Sequence, residues 1–233
     1  RDCLNQLTAL QGLMGPIEFS LGLGQAACNP GGLSDSLRSA RFAAMERLIE
    51  GTGHLLEGGA PKPPTLWKEN LLERYGRAME YLVETLSVEE ADSAADLLED
   101  AVGQLTNVHG QELLDLVDAA GQYFALRLDL EDREKVLRDF LARCAQCSNT
   151  QDLFRCLRLF QSEQLTIVAE RRHNESIRPI RIAKQYIQKH YSEPITLEEI
   201  CTSVGFSTSY FSVLFKKETG EGFNQYLTRV RVD

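Results

Sequence analysis

Six cysteines are the residues whose type and spacing could perform metal or redox chemistry: Cys3, Cys28, Cys144, Cys147, Cys156 and Cys201. Cys144-Ala-Gln-Cys147 has the C-x-x-C spacing, but a zinc site needs a second ligand pair at a suitable spacing. The nearest downstream histidine, His173, lies at the far end of a long helical pattern. A redox C-x-x-C follows a strand and opens a helix, whereas this pair ends a helix. We therefore predict reduced, partly buried thiols, with no metal and no cofactor.

Candidate catalytic groups are sparse. The four histidines have no serine, cysteine or carboxylate partner at an informative spacing: His54, His109, His173 and His190. The acidic pairs Glu89-Glu90 and Glu198-Glu199 lie at predicted helix starts, where carboxylates favour the helix dipole, and we assign them to capping. Gly22-Leu-Gly24 is too short for a phosphate loop, so we interpret these glycines as structural. The sequence predicts no catalytic residue and no enzyme.

A set of hydroxyl, apolar and basic side chains between residues 207 and 217 has the chemistry of DNA recognition. Serine and threonine bond to bases or phosphates, valine contacts the thymine methyl group, and lysine binds phosphates. The predicted DNA-binding residues are Ser207, Thr208, Ser209, Tyr210, Ser212, Val213, Lys216 and Lys217. His190, near a predicted helix end beside this set, is a further candidate phosphate contact.

Three predicted helices position these side chains. Pro179 suits a first helical turn, and Thr196-Leu-Glu-Glu199 is a capping box that starts a second helix. Gly205 stands where a tight turn needs a left-handed residue, and Ser207 caps a third helix that ends before Gly220. The inward positions of the three helices are Ile180, Ala183, Ile187 and Tyr191; Leu197, Ile200 and Val204; and Phe211, Leu214 and Phe215.

A short helix, a glycine turn and a second helix form the helix-turn-helix signature, whose second helix enters the DNA major groove. From the turn and the periodicity alone, a small helical domain that pairs with protein remains an equal alternative.

The residues themselves resemble a known family. Ile195-Thr-Leu-Glu-Glu-Ile-Cys-Thr-Ser-Val-Gly-Phe-Ser-Thr-Ser-Tyr-Phe-Ser-Val-Leu-Phe-Lys-Lys-Glu-Thr-Gly220 closely resembles the first helix-turn-helix of AraC-type transcription activators. Phe223-Asn-Gln-Tyr226-Leu-Thr-Arg-Val-Arg231 is similar to the start of that family's connecting helix. The resemblance implies base reading by Ser209, Ser212 and Val213. Val213 departs from the basic or polar side chain common there, which implies modest base-specific energy. Cys201 replaces a small residue such as alanine, which supports a buried structural role.

A second departure concerns the end of the sequence. AraC-type DNA-binding units have two helix-turn-helix subdomains joined by the connecting helix, and this sequence stops at Asp233, inside that helix. The resemblance therefore implies a truncated chain without the second subdomain, for which we expect weak or undetectable specific DNA binding.

The rest of the chain is predicted to be mainly α. Residues 1–58 read as a partial α/β remnant, with helical periodicity over 1–14 and 34–50 and strand alternation over 17–21. Residues 59–66, which overlap the proline-rich stretch 57–64, are predicted to form a linker. Residues 67–176 are predicted to form a helical signalling or dimerisation region. Within it we predict a capping box at 87–90 and helices over 129–147 and 149–172. One helical stripe is predicted to be buried: Leu113, Val117, Ala120, Phe124 and Leu128. Residues 177–233 form the helix-turn-helix domain.

A second resemblance lies near the start of the chain. Phe19-Ser-Leu-Gly-Leu-Gly24 and residues 33–51, with Ser36-Leu-Arg-Ser-Ala40, resemble the end of a degenerate cyclase-like region in bacterial two-component response regulators with AraC-type output. This implies an upstream receiver domain and a sensor kinase in a phosphorelay, with the phosphorylation site outside this sequence. We also expect the protein to bind double-stranded DNA, to form a homodimer and to contact RNA polymerase. We expect no membrane association.

Composition and charge agree with a globular protein. The 233 residues are 43% hydrophobic and 25% charged, with a net charge of −9. Residues 177–233 carry eight Lys/Arg and six Asp/Glu, a net charge of +2, so the remaining residues carry −11. No apolar run reaches the ~20 residues of a membrane helix, and no secretory leader is visible. We expect a soluble cytoplasmic protein.

Three function classes are compatible with parts of the sequence. The first is a sequence-specific transcription regulator controlled by an upstream signal domain. The second is a helical dimerisation or ligand-sensing module without independent DNA binding. The third, a nucleotide-processing enzyme built on the cyclase-like remnant, lacks paired metal-binding carboxylates and a phosphate-binding lysine. The sequence favours the regulator.

Overall fold

The computed structural model describes Ala9 and residues 20–53, 55–58, 67–87 and 90–232. The described chain is mainly helical, which confirms the predicted fold class. It divides into two compact units, Arg1–Thr166 and Ile167–Asp233. The predicted domain boundaries stay predictions. The predicted helix over 1–14 and the linker over 59–66 lie outside the described residues, apart from Ala9.

The first unit begins with a small α/β element. Strand β1 (Leu21–Leu23) pairs in parallel with strand β2 (Leu55–Glu57), with Leu21 opposite Leu55. Between them lie a short 3-10 helix (Pro30–Gly32), helix α1 (Leu33–Met45) and helix α2 (Arg47–Glu50). The strand predicted over 17–21 overlaps β1 only at Leu21, since residues 17–19 lie outside the described part.

The glycines in β1 and directly after it, Gly22 and Gly24, have a packing role. A Cβ on Gly22 would overlap the backbone oxygen of Ala40, and one on Gly24 would overlap that of Ser36. Both oxygens belong to α1, so the missing side chains let the helix approach the strand. The interpretation of these glycines as structural agrees with this contact.

Four further helices build the body of the first unit: α3 (Trp67–Thr85), α4 (Ala91–Gly103), α5 (Gly110–Arg127) and α6 (Arg133–Cys144). The predicted stripe on α5 is buried, with Leu113, Val117, Ala120 and Phe124 at 0% exposure. Phe124 and Phe140 both contact the ring of Phe160, at centroid distances of 5.6 and 4.3 Å.

Two predicted helix starts are wrong. Helix α4 begins at Ala91 with Glu90 at its N-cap and no side-chain cap bond, so Ser87 lies too far from the first turn to form the predicted capping box. Val88 and Glu89 lie outside the described residues. Helix α6 begins at Arg133 rather than near 129, because Asp129 and Asp132 adopt left-handed φ values of 52° and 49° that a helix does not contain.

Helix α7 (Thr150–His190) continues through Pro179, where the sequence predicted a new helix to begin. Asn149 provides the predicted start, since its Oδ1 accepts from the Asp152 amide at 2.8 Å. The chain has no glycine between Arg172 and Pro179 to end the helix. Proline removes one backbone hydrogen bond, and burial of Ile180 and Ala183 just after it offsets that loss.

The second unit contains the end of α7 and three shorter helices, α8 (Leu197–Val204), α9 (Thr208–Thr219) and α10 (Phe223–Val232). Its core comprises Ile180, Ala183, Ile187, Ile195, Ile200, Cys201, Phe211, Phe215, Phe223, Tyr226 and Leu227. Leu197, Val204 and Leu214 are partly buried against this core. Tyr191, predicted to point inward, is 46% exposed because α7 has ended at His190.

Within the described ranges, every helix is too short or too polar to cross a lipid bilayer.

Candidate nucleic-acid interface

The turn between α8 and α9 has the geometry that the sequence predicted. Thr196 Oγ1 accepts from the Glu199 amide at 3.2 Å, and Glu199 Oε2 accepts from the Thr196 amide at 2.9 Å. This reciprocal capping box fixes the start of α8. Gly205 ends the helix at φ 74° and ψ 27°, a left-handed conformation that glycine adopts without strain. The chain is thereby turned into α9.

Helix α9 begins at a second cap. Ser207 is the N-cap residue, and its hydroxyl accepts from the Tyr210 amide at 3.4 Å. The helix ends at Gly220, which has φ 80°. Lys216 and Lys217 lie in its last turn, where positive charge favours the helix dipole.

The inner face of α9 is held by aromatic packing. Phe211 and Phe215 are both at 0% exposure, with ring centroids 5.6 Å apart. Phe215 also contacts Phe223 at 6.1 Å and Tyr226 at 5.4 Å, both in edge-to-face arrangements. Such pairs add to the stabilisation from burial. This packing determines which side of α9 faces outward.

Cys201 belongs to the same core. It is 2% exposed, as expected from its place in α8. Burial, with a contribution from the charge of Glu198, raises the pKa of its thiol. A protonated, enclosed thiol behaves as a small apolar side chain, which agrees with a structural role.

Seven of the eight predicted DNA-binding residues are exposed, and Ser212 is half-buried. Helical spacing places Ser209, Val213 and Lys216 along the centre of the outer face, opposite the buried phenylalanines. Tyr210 and Lys217 share one flank of this face. Thr208 and Ser212 share the other. Ser207 caps the helix end. The structure thus brings the predicted set together on the outer side of α9 and at its N-terminal cap.

Two of these side chains are apolar or aromatic and yet exposed. Val213 is 72% exposed and Tyr210 is 54% exposed. The Tyr210 ring stacks on Phe206 at a centroid distance of 5.4 Å. Phe206 precedes the N-cap Ser207, so the helical spacing of α9 does not predict this stack.

The two lysines of α9 differ from the arginines of α10 in their partners. Lys216 and Lys217 are exposed and form no ion pair with any described carboxylate. Arg229 pairs with Glu221 at 2.8 Å and lies over the Tyr226 ring at 4.9 Å. Arg231 donates to the carbonyl oxygens of Tyr191 and Glu193 at 2.7 and 2.8 Å. The arginines therefore stabilise the unit, and the lysines are the cations open to a ligand.

His109 and His190 form separate structural contacts rather than a shared site. His190 Nδ1 lies 3.1 Å from Glu193 Oε1, and its ring stacks on Tyr186 at 4.5 Å. His109, which the sequence analysis considered isolated, lies 3.0 Å from Glu46 Oε1 and contacts the ring of Phe42. The expectation that the histidines lack carboxylate partners was wrong for both residues. Glu193 lies only three residues after His190, whereas the partner of His109 is 63 residues earlier in the chain. His173 is exposed, and His54 lies outside the described residues.

The cysteines show a similar long-range effect. In the described chain, no group of three or more His, Cys, Asp or Glu side chains is arranged to hold a metal ion. Cys28, Cys144, Cys147, Cys156 and Cys201 are free thiols, and Cys3 lies outside the described residues. In the folded chain Cys156 lies beside the C-x-x-C pair, Cys144 and Cys147. Its Sγ atom is 3.7 Å from that of Cys144.

Comparison with known proteins identifies the second unit's motif. Residues 187–228 match the family of bacterial regulatory helix-turn-helix proteins, AraC family. A segment of 50 residues, 22% of this chain, is 44% identical to Regulatory protein PocR of Salmonella typhimurium, and it covers 16% of that protein's length. No solved structure matches the chain. Residues 187–228 are therefore an AraC-family helix-turn-helix domain, which is a DNA-binding motif.

Proposed function

We propose that this protein is a transcription regulator that binds double-stranded DNA by inserting the outer face of α9 into the major groove. The observation that carries the proposal is the exposure of the predicted residues on one helix whose inner face is fixed by Phe211 and Phe215. A rigid helix with small polar side chains fits the groove width of about 12 Å.

We assign base recognition to residues on the outer face of α9, namely Ser209 and Val213 at its centre and Ser212 beside them. Ser209 and Ser212 carry hydroxyls that donate to or accept from base edges. Val213, at 72% exposure, offers an apolar surface that suits the methyl group of thymine. Because none of these is a bidentate arginine, glutamine or asparagine, we expect modest discrimination among bases.

We assign most of the DNA affinity to the two lysines of α9. Lys216 and Lys217 lie about one turn beyond Val213 and carry charge that no described carboxylate offsets. Lysines at such positions neutralise phosphates and release counterions, which makes binding depend on salt. Ser207, Thr208 and Tyr210, at the start of the helix, add polar contacts to the DNA backbone.

The experiment is an anisotropy titration of a labelled duplex with this chain at several salt concentrations. The chain is expected to bind at low salt, with an affinity that falls steeply as salt rises. Lys216→Gln and Lys217→Gln are each expected to lower the slope of log affinity against log salt by about 0.9. Lys135→Gln, an exposed lysine of α6, is the matched control and leaves the slope unchanged. Absence of binding at low salt, or an equal effect of Lys135→Gln, contradicts the proposal.

Control by an upstream signal is the second part of the proposal. The resemblance of residues 19–51 to response regulators supports a receiver domain and a sensor kinase, with a homodimer as the DNA-binding form and RNA polymerase as a further partner. Exposed Leu126 and Leu159, at 60% and 51%, are apolar surface available for a dimer. Light scattering on the protein with a phosphorylated receiver attached is expected to show a dimer. A monomer at high concentration contradicts this part.

The alternative is a helical dimerisation or ligand-sensing module without DNA binding. The anisotropy titration and the light-scattering measurement together distinguish this alternative from the regulator. A dimer that shows no salt-dependent DNA binding favours the alternative.

A further inference from the structure

Three cysteines of the first unit meet at the junction of α6 and α7, and we call them the cysteine cluster: Cys144, Cys147 and Cys156. Cys144 ends α6, Cys147 follows it in the connecting loop, and Cys156 lies in the second turn of α7. The Sγ atoms of Cys144 and Cys156 are 3.7 Å apart. Cys144 is fully buried, Cys156 is 9% exposed and Cys147 is half-buried, so the cluster lies just under the surface.

The loop that carries the cluster is fastened to α2. The Arg47 guanidinium donates to the carbonyl oxygens of Ala145 at 2.6 Å and Cys147 at 3.1 Å. Thr150 Oγ1 donates to the carbonyl oxygen of Leu48 at 2.7 Å. These bonds fix the loop on both sides of Cys147. The thiols are therefore held close together by the tertiary structure rather than meeting through loop motion.

The three thiols differ in their tendency to ionise. The thiol of Cys144 donates to the sulfur of Cys156, and the neighbouring Cys147 thiol and Arg143 guanidinium add to this effect, so the pKa of Cys156 is lowered despite its burial. The pKa values of Cys144 and Cys147 are raised, first by their interactions with Cys156 and then by burial. Ionisation is thus favoured at Cys156, with the Cys144 thiol 3.7 Å away. A thiolate beside a thiol is the arrangement that reacts with peroxides and then forms a disulfide.

We propose that the cysteine cluster is an oxidation site for hydrogen peroxide, with Cys156 as the attacking sulfur and Cys144 as the resolving one. The Cys156 thiolate attacks one peroxide oxygen, the O–O bond breaks, and the released hydroxide takes up a proton to give water and a Cys156 sulfenic acid. The Cys144 sulfur then attacks the sulfenic sulfur, the S–O bond breaks, and the hydroxyl group leaves as water with the Cys144 proton. Two thiols are oxidised to one disulfide and one peroxide is reduced to two waters.

The geometry favours Cys144 over Cys147 as the resolving thiol. A disulfide needs the two sulfurs to approach from 3.7 Å to about 2.05 Å. That movement is within the range of a side-chain rotation when both residues lie on neighbouring helices. Cys147 Sγ donates to the carbonyl oxygen of Arg143 at 3.5 Å, and that bond holds it at the end of α6.

Peptide mapping after peroxide treatment tests the proposal directly. Trypsin cleaves after Arg143, Arg155 and Arg158, which places Cys144 and Cys147 on peptide 144–155 and Cys156 on peptide 156–158. Mass spectrometry is expected to find these two peptides joined by a disulfide after treatment of the whole chain. The joined pair is expected in Cys147→Ala and is lost in Cys144→Ala. Cys28→Ser, which removes an exposed thiol elsewhere, is the matched control and leaves the yield unchanged.

A measurement on the unmodified chain keeps the test independent of the folding of the variants. The rate of iodoacetamide alkylation of peptide 156–158 is expected to rise less steeply between pH 6 and pH 8 than that of a free thiol, because the hydrogen bond from Cys144 lowers the pKa of Cys156. The rate for N-acetylcysteine rises about tenfold per pH unit in that range, since its pKa is near 8.5. A Cys156 profile parallel to that of N-acetylcysteine overturns the proposal. So does a disulfide confined to peptide 144–155, the absence of any disulfide in excess peroxide, or stoichiometric zinc in the purified protein.

Discussion

Phe215→Ala tests the idea that the aromatic core holds the outer face of α9 in place. Phe215 is at 0% exposure and its ring meets three other aromatic rings, those of Phe211, Phe223 and Tyr226. Truncating a fully buried phenylalanine costs about 3–5 kcal/mol. A unit of the size of Ile167–Asp233 has a free energy of unfolding of about 3–10 kcal/mol. The substitution therefore removes about a third or more of the stability of this unit.

Hydrogen exchange read by mass spectrometry is the assay, because it reports on α8, α9 and α10 separately from the rest of the chain. We expect amide exchange in these helices to accelerate by roughly two to three and a half powers of ten in Phe215→Ala. Val213→Ala, two residues away on the exposed face, is the matched control, with an expected effect within about 0.5 kcal/mol. Equal exchange in the two variants refutes the assignment of inner and outer faces.

Three further predictions concern single contacts. Thr196→Ala removes the α8 cap and is expected to lower the free energy of unfolding by about 1 kcal/mol in hydrogen exchange of that helix, whereas Thr196→Ser retains it. Gly110→Ala places a Cβ against the backbone of α1 and is expected to lower the melting temperature, while Gly103→Ala, which meets nothing within 4 Å, leaves it unchanged or raises it. Burial raises the pKa of Tyr75 above its ordinary 10.0. The unfolded phenol ionises first, so its contribution to stability is complete below pH 10 and falls above it by about 1.4 kcal/mol per pH unit. Urea unfolding, followed by the fluorescence of the single tryptophan, gives the free energy of unfolding at each pH. Above pH 10 this free energy is expected to decline less steeply in Tyr75→Phe than in the unmodified chain. Equal declines in the two proteins contradict the burial of this hydroxyl.

The candidate site could be predicted from sequence because its determinants are local. Thr196, Gly205 and Ser207 each act within about four residues of themselves, through a cap or a left-handed turn. The buried stripe on α9 follows from a periodicity contained in a single helix. Sequence patterns of this kind carry most of the information about a short helical unit.

The features that sequence analysis missed depend on distant partners. Strand β2 has three residues and exists because it pairs with β1, more than thirty positions earlier. His109 is oriented by Glu46, and the C-x-x-C pair gains its third thiol, Cys156, only when α6 and α7 are side by side. Pro179 was predicted to begin a helix because its φ value suits a first turn, yet the same φ value allows it inside α7. None of these follows from periodicity or local propensity.

The central claim is that the outer face of α9 lies in the DNA major groove, and site-directed cross-linking tests it most directly. Val213→Cys in a Cys28→Ser background is incubated at low salt with a duplex whose cytosine N4 carries a tethered thiol in the major groove. We expect a disulfide-linked protein–DNA complex in high yield, while Lys135→Cys on α6 gives only the yield of the background protein. Equal yields from positions 213 and 135, or none from position 213, would contradict the account.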